Sequence, residues 1–215
     1  MGRTGLVLGA LLACGAAAGA FEQALDPRSL SDAIDLGQSR IDDMRSRFHV
    51  PYRIDVKQPP VDYLDVVTPF RRVALDAEAR TRAGARLYGQ REALATLGDA
   101  PSRVDIIAEL TFHPMNNYIG VPNVAVTLVP PREMPIEPMD TARIPRFGPR
   151  LSGSSLPYPY GTTPPAPRGS QPLLGGTVLA TFDGTTLDPR GKYVVLIREN
   201  GKDVAKATVD FARLR

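Results

Sequence analysis

The chain has 215 residues, a formal net charge of +3 and 43% hydrophobic residues, which is enough apolar content for a packed core. Its only cysteine is Cys14, which excludes an intrachain disulfide framework. The small positive charge accompanies many arginines, alanines, glycines and prolines. That composition is typical of a GC-rich bacterial genome, which explains the many arginines without selection for nucleic-acid binding. We therefore expect no nucleic-acid partner.

Residues 1–20 predict a secretory signal. Arg3 gives a positive start, residues 5–17 are uncharged, and small residues lead up to Ala20. The apolar run is shorter than the roughly 20 residues that a membrane span needs. We therefore expect cleavage between Ala20 and Phe21, which leaves a cysteine-free periplasmic or secreted protein without a transmembrane span. A buried N-terminal helix is the alternative interpretation.

The same stretch contains a second processing pattern. Residues 11–15 resemble the lipobox of bacterial lipoproteins, in which the cysteine is acylated and becomes the first residue. Leu11, Ala13 and Cys14 fit that pattern, whereas Leu12 is a less usual occupant. Acylation of Cys14 would give a lipid anchor and place the protein on a membrane without spanning it. Soluble export and lipidation both remain open.

Residues 21–101 predict a helical region with two amphipathic helices and a short strand. Each helix begins at a capping side chain followed by proline, which suits the first helical position. Apolar side chains then recur at helical spacing. The predicted elements are a helix over 27–48, a strand over 53–57 and a helix over 69–97.

Residues 102–215 predict antiparallel strands, because apolar and polar side chains alternate. Asn200-Gly201 lies between two such runs and is a strong hairpin signal, since both residues accept a positive φ. The predicted strands are 104–112, 124–129, 178–182, 192–198 and 203–211. The predicted fold class is α+β, a helical N-terminal half followed by a small antiparallel β-sandwich of Ig-like or transthyretin-like shape.

A long proline-rich segment interrupts the predicted strands. Residues 130–172 hold twelve of the chain's 21 prolines, and proline cannot donate to a central strand ladder. We expect a long loop, and loops of this length are either functional or disordered. Tyr158 and Tyr160 are the candidate partner-docking residues, and a flexible loop without a partner is the alternative. The trypsin sites within residues 130–172 are Arg132, Arg143, Arg146, Arg150 and Arg168.

The best candidate ligand-binding residues lie in one loop. His113, Asn116, Asn117 and Tyr118 offer an imidazole, two amides and a hydroxyl, and such loops often carry binding. Ordinary turn chemistry is the alternative interpretation. The motifs of a nucleophile elbow, a phosphate-binding glycine loop and a zincin helix do not occur. No catalytic residue, metal ligand or cofactor is therefore assigned.

These features predict an exported, non-enzymatic accessory or binding protein of the bacterial envelope. Its expected partner is an envelope protein or a polysaccharide of unknown identity. Two alternatives stay open: a carboxylate-based hydrolase or carbohydrate-active enzyme, and a structural subunit of an extracytoplasmic assembly. Two carboxylates in one cleft would favour the enzyme, and an exposed sheet edge would favour the subunit.

Overall fold

A computed structural model describes residues 20–84, 87–113, 116–132, 134–148 and 172–215. Within these ranges the chain forms four α-helices and two antiparallel sheets, which confirms the α+β class. Cys14, Tyr158 and Tyr160 lie outside the described residues. No helix in the described ranges is long and apolar enough to cross a membrane.

The described residues form the following helices and strands. The helices are α1 (Pro27–Gln38), α2 (Asp42–His49), α3 (Pro69–Arg82) and α4 (Gln90–Leu97). The strands are β1 (Arg53–Gln58), β2 (Val61–Val67), β3 (Val104–Thr111), β4 (Val124–Val129), β5 (Asp140–Phe147), β6 (Leu173–Phe182), β7 (Lys192–Glu199) and β8 (Lys202–Asp210).

The two sheets share one hydrophobic core. The larger sheet has the order β1-β2-β3-β6-β5 and the smaller one the order β4-β7-β8. Leu64 and Ile106 from the larger sheet, and Val126 and Ile197 from the smaller one, are fully buried in that core. Because β1 and β2 join the larger sheet, the first half of the chain contributes strands as well as helices. β2 pairs with β3 across the predicted domain boundary at 101/102, and that domain division stays a prediction.

The first predicted helix is interrupted, so the expectation of one helix over 27–48 is wrong. Ser39 leaves the helical conformation, and its Oγ accepts a hydrogen bond from the Ile41 backbone N–H at 3.2 Å. Such local serine bonds compete with helix continuation. Because of this interruption, Ile41 is 62% exposed and does not continue the buried apolar face of Leu30 and Ile34.

The second predicted helix is also interrupted. α3 ends beside Gly84, which has a φ of 76°, and α4 begins after Gly89, whose N–H donates to the Glu92 carboxylate at 3.0 Å. The break turns the chain so that Tyr88 and α4 pack against α1 and α3 in a second apolar cluster. The separation into two helices is therefore accompanied by burial of Tyr88 in that cluster.

Two consecutive arginines attach α3 to the larger sheet. Arg71 forms a two-point ion pair with Asp65, and Arg72 pairs with Asp105 at 3.1 Å. Arg71 is 5% and Arg72 is 8% exposed. These two arginines therefore do not belong to a solvated charged face, because each has a carboxylate partner on a neighbouring strand.

Part of the predicted proline-rich loop is a strand. β5 lies within 130–172 and pairs with β6, at the edge of the larger sheet. Pro145 fits there because an edge strand has one side that makes no ladder hydrogen bonds. Ile136 also bridges to Leu128 of β4. The loop prediction is wrong for these residues, and 149–171 lie outside the described residues.

Candidate functional site

The predicted ligand-binding loop lies where the chain crosses from β3 in one sheet to β4 in the other. Phe112 anchors its start, since it is 4% exposed and its N–H donates to the Leu174 carbonyl at 2.9 Å. A loop fixed in the core at one end presents the following side chains at a defined place. The next residue, His113, is exposed.

A cavity of about 580 Å³ opens beside this loop, and we call it the loop cavity. His113, Asn116, Asn117 and Tyr118 all line it, so the four residues predicted from the sequence come together. Glu199, from the end of β7, joins them. Sequence reasoning missed Glu199, which stands far along the chain and gains its place only through sheet packing. That these residues bind a ligand stays a prediction.

Contacts to two neighbouring residues hold the side chain of Tyr118 in one orientation at the loop cavity. Its ring lies 4.9 Å from that of Phe112, and its hydroxyl donates to the Glu199 carboxylate at 3.1 Å. Desolvation and the hydrogen bond to Glu199 raise the pKa of Tyr118. The side chain is 40% exposed, so a neutral phenol held in one orientation presents part of its ring to solvent.

The two asparagines have different roles. The Asn116 side chain donates to the carbonyls of His113 and Leu173 at 2.7 and 2.8 Å, and it accepts from the Tyr118 N–H at 2.9 Å. Its amide therefore shapes the turn. Asn117 is exposed and makes no side-chain hydrogen bond within the described ranges, so its amide is available to a ligand.

A second cavity, of about 640 Å³, lies among α1, α2 and the C-terminal residues 213–215, and we call it the helix cavity. Its floor is aromatic and its rim carries both acidic and basic side chains. Sequence reasoning missed this site, because its walls come from segments far apart in the chain. The helical periodicity of α1 and α2 indicated only which side chains would face a core.

A buried ionic network joins α2 and α3 to β2. Arg71 Nε donates to His49 Nδ1 at 3.3 Å, and His49 Nε2 lies 3.3 Å from the Glu78 carboxylate. Glu78 also pairs with Arg82 at 2.5 Å and Arg45 at 3.5 Å. Burial lowers the pKa of His49, and the charge of Arg71 lowers it further. Nδ1 thus accepts from Arg71, and in the neutral form of the ring Nε2–H donates to Glu78.

Comparison with known proteins adds no assignment to this α+β fold. No protein-family model matches the sequence, and neither the curated proteins nor the solved structures contain a significant match. Within the described part of the chain, no cluster of three or more His, Cys, Asp or Glu side chains is arranged to hold a metal ion. The loop cavity and the helix cavity are therefore the features of this fold that bear on function.

Proposed function

We propose that this chain is an exported, non-enzymatic binding protein of the bacterial envelope whose loop cavity takes a polysaccharide. The observation that carries the proposal is the convergence of Asn117, Tyr118 and Glu199 on one cavity of about 580 Å³. Cavities of roughly 300–1,000 Å³ that combine apolar walls with a few polar groups are typical ligand sites.

The side chains of the loop cavity suit sugar chemistry. A pyranose ring has faces of C–H groups and a perimeter of hydroxyls. The partly exposed ring of Tyr118 offers an apolar face, and the Asn117 amide offers both donors and an acceptor. Glu199 accepts one hydrogen bond from Tyr118 and keeps further lone pairs for sugar hydroxyls. Direct contacts to several hydroxyls would fix the orientation of one sugar unit.

The proposed location is the periplasm or the exterior, after cleavage between Ala20 and Phe21. Phe21 supports this, because it is 1% exposed and its ring lies 5.2 Å from that of Phe211 in the core. The core thus includes the first residue after the predicted cleavage site. The alternative is a lipoprotein anchored through Cys14, with a tether of roughly 25 Å when fully extended.

Intact mass of the protein from the envelope fraction tests the location. A chain beginning at Phe21 supports soluble export. An acylated chain beginning at Cys14 supports the lipoprotein. A full-length chain confined to the cytosol contradicts both forms of the proposal.

The proposed architecture is a helical N-terminal half followed by a β-sandwich of Ig-like or transthyretin-like shape. It draws support from the position of the described helices, which all lie between residues 27 and 97. The two antiparallel sheets with a shared core, and the crossing from β3 to β4 between them, support the sandwich. In such folds, loops at the ends of the sheets often carry binding sites.

The binding proposal is tested by titrating the ¹⁵N-labelled protein with cellotetraose, mannotetraose and chitotetraose. We expect saturable shifts at the amides of Asn117 and Tyr118. Tyr118→Ala and Asn117→Ala should each weaken binding about two- to tenfold, as expected for one contact of about 0.5–1.5 kcal/mol. Ile119→Ala is the matched control, since Ile119 is 96% exposed and does not line the cavity. Absence of saturable shifts with every probe contradicts the proposal.

The hydrolase is the second candidate function, and one observation favours it. Asp32 and Asp35 both line the helix cavity, which gives two carboxylates in one cleft. Asp32, however, is already engaged in an ion pair with Arg215 at 2.7 Å. Release of reducing sugar from the same tetrasaccharides, abolished by Asp35→Asn, would establish the enzyme in place of the binding protein.

The structural subunit keeps one supporting observation. β5 lies at the edge of the larger sheet, and its Ile144 and Phe147 are 57% and 46% exposed. Exposed strand edges can pair with another chain. A stable assembly recovered from the native envelope, and lost with Ile144→Lys, would favour the subunit over the binding protein.

A further inference from the structure

The helix cavity has an aromatic floor that is already rigid. The ring of Phe48 lies 5.1 Å from that of Tyr52 and 5.6 Å from that of Phe70. Tyr52 and Phe70 are 1% and 2% exposed. The Tyr52 hydroxyl is occupied by the backbone of Arg215, donating to its carbonyl at 2.8 Å and accepting from its N–H at 3.0 Å. Arg215 also covers the Phe70 ring, with its guanidinium carbon 4.4 Å from the ring centroid. The half-buried ring of Phe48 is therefore the part of the floor that a ligand can contact, and it favours an apolar group.

The charged groups of the rim come from three segments of the chain, namely α1, α2 and the C-terminal residues. Asp32 and Asp35 stand one turn apart on α1, and Arg213 and Arg215 follow the last strand. One ion pair already joins α1 to the C-terminal residues, because Arg215 contacts Asp32 at 2.7 Å. The acidic side chains therefore border the cavity from α1. The basic ones border it from the C-terminal segment and from α2, where Arg47 is paired with Asp43 at 2.6 Å.

One charged side chain on α1 and one in the C-terminal segment have no partner among the described residues. Arg215 is neutralised by Asp32 and by Glu22, the latter at 3.2 Å. Asp35 and Arg213 are both exposed, and neither forms an ion pair or side-chain hydrogen bond with any described residue. An anion alone would gain from Arg213 but meet the carboxylate of Asp35. A ligand carrying both charges would satisfy both.

We infer that the helix cavity binds a short hydrophobic peptide as a zwitterion. Its ammonium group faces Asp35, its carboxylate faces Arg213, and an aromatic or long aliphatic side chain rests on the ring of Phe48. The volume of about 640 Å³ accommodates a ligand of that size. This site is separate from the loop cavity and does not depend on polysaccharide binding there.

The test titrates four probes into the ¹⁵N-labelled protein, expressed from the full coding sequence and purified in the form that the host delivers. The probes are leucyl-phenylalanine, its N-acetyl derivative, its C-terminal amide, and decanoate as a purely anionic amphiphile. We expect saturable shifts at Leu36, Met44 and Leu214 with leucyl-phenylalanine. Each blocked dipeptide should bind about two- to fivefold more weakly, as expected for one lost exposed charge contact. The amides of Asn117 and Tyr118 serve as an internal reference and should not move.

Two variants assign each charge to its partner. Asp35→Asn should weaken leucyl-phenylalanine about two- to fivefold but leave the N-acetyl derivative unchanged, because that probe has no ammonium group. Arg213→Gln should likewise weaken binding of leucyl-phenylalanine about two- to fivefold. It should leave the affinity for the C-terminal amide unchanged, because that probe has no carboxylate. Asp99→Asn and Arg132→Gln are matched controls, since both residues are exposed and away from the cavity. All four positions are exposed, so folding should be preserved.

Three results would overturn the inference. The first is the absence of saturable shifts with any probe. The second is equal affinity for the zwitterion, the blocked dipeptides and decanoate, which would mean that the charged walls select nothing. The third is a set of shifts that maps away from Leu36, Met44 and Leu214.

Discussion

His49 is the most informative single residue of the buried ionic network. Its imidazole stands between the guanidinium of Arg71 and the carboxylate of Glu78. In the neutral form Nδ1 accepts from Arg71 Nε, and a second proton on the ring would set two donors against each other. Burial and the Arg71 charge both lower the pKa of His49, and Glu78 and Asp65 oppose them only in part.

The lowered pKa of His49 predicts a dependence of stability on pH. The unfolded chain binds a proton near pH 6.5, whereas the folded chain binds it only at lower pH. Between the folded pKa and 6.5 the unfolded state therefore holds more protons, so stability rises with pH and falls on acidification. We expect the free energy of unfolding, measured in urea at pH 7, 6 and 5, to fall, and His49→Gln to reduce that fall.

His113→Gln is the control, because it removes the other imidazole of the chain. It should leave the change in stability between pH 7 and pH 5 as large as in the unaltered protein. If the free energy of unfolding fell between pH 7 and pH 5 by the same amount in the unaltered protein and in His49→Gln, the role given to His49 would be contradicted. A fall that disappears only in His113→Gln would move that role to the loop cavity.

Among the elements, the β7–β8 hairpin matches its sequence signal most directly. Asn200 has a φ of 50° and Gly201 a φ of 81°, as a two-residue turn with two left-handed positions requires. A Cβ at Gly201 would meet no atom within 4 Å. Any cost of a side chain at this position therefore comes from the backbone conformation and not from crowding.

Gly201→Val should destabilise the protein by about 1–3 kcal/mol, the cost of forcing a β-branched residue to positive φ. Urea denaturation measures the loss. Gly120→Val is a matched control, because a Cβ there also meets nothing within 4 Å and no positive φ is required. Similar losses in the two variants would show that conformation at Gly201 is not the cause.

At the scale of the whole molecule, β5 fixes two arginines of the proline-rich segment to neighbouring parts of the structure. Arg143 donates to the Asn123 side chain at 2.8 Å and to the Val124 carbonyl at 3.1 Å. Arg146 pairs with Glu109 at 2.7 Å. Both belong to a strand paired with β6, so cleavage at either one requires local unfolding of a sheet edge.

Limited trypsin digestion should therefore spare Arg143 and Arg146 and begin at Arg132, Arg150 or Arg168. After cleavage at Arg150 and Arg168 the two large fragments should stay associated, because β6 lies between β3 and β5 in one sheet. Mass spectrometry of early fragments, with gel filtration of the nicked protein, measures both outcomes. First cleavage at Arg143 or Arg146 would contradict this arrangement.

Local sequence signals predicted those elements whose causes lie within a few residues. Asp26 caps α1 by accepting from the Ser29 N–H at 2.7 Å, and Thr68 caps α3 by accepting from the Arg71 N–H at 3.3 Å. The sequence likewise predicted the turn at Asn200, and the alternation of apolar and polar side chains predicted β3, β4, β7 and β8. The loop of His113 to Tyr118 was recognised as a candidate site from residue types alone, but Glu199 was not.

The remaining features depend on contacts between residues far apart in the chain, and periodicity does not report such contacts. The break before α4 places Tyr88 against α1 and α3, and the burial of Arg71 requires Asp65 on a neighbouring strand. β5 is a strand despite Pro145 because an edge position tolerates a missing N–H. The helix cavity exists because α1, α2 and residues 213–215 meet. Burial and pairing in three dimensions outweigh local propensity at these places, since each depends on a partner that the nearby sequence does not contain.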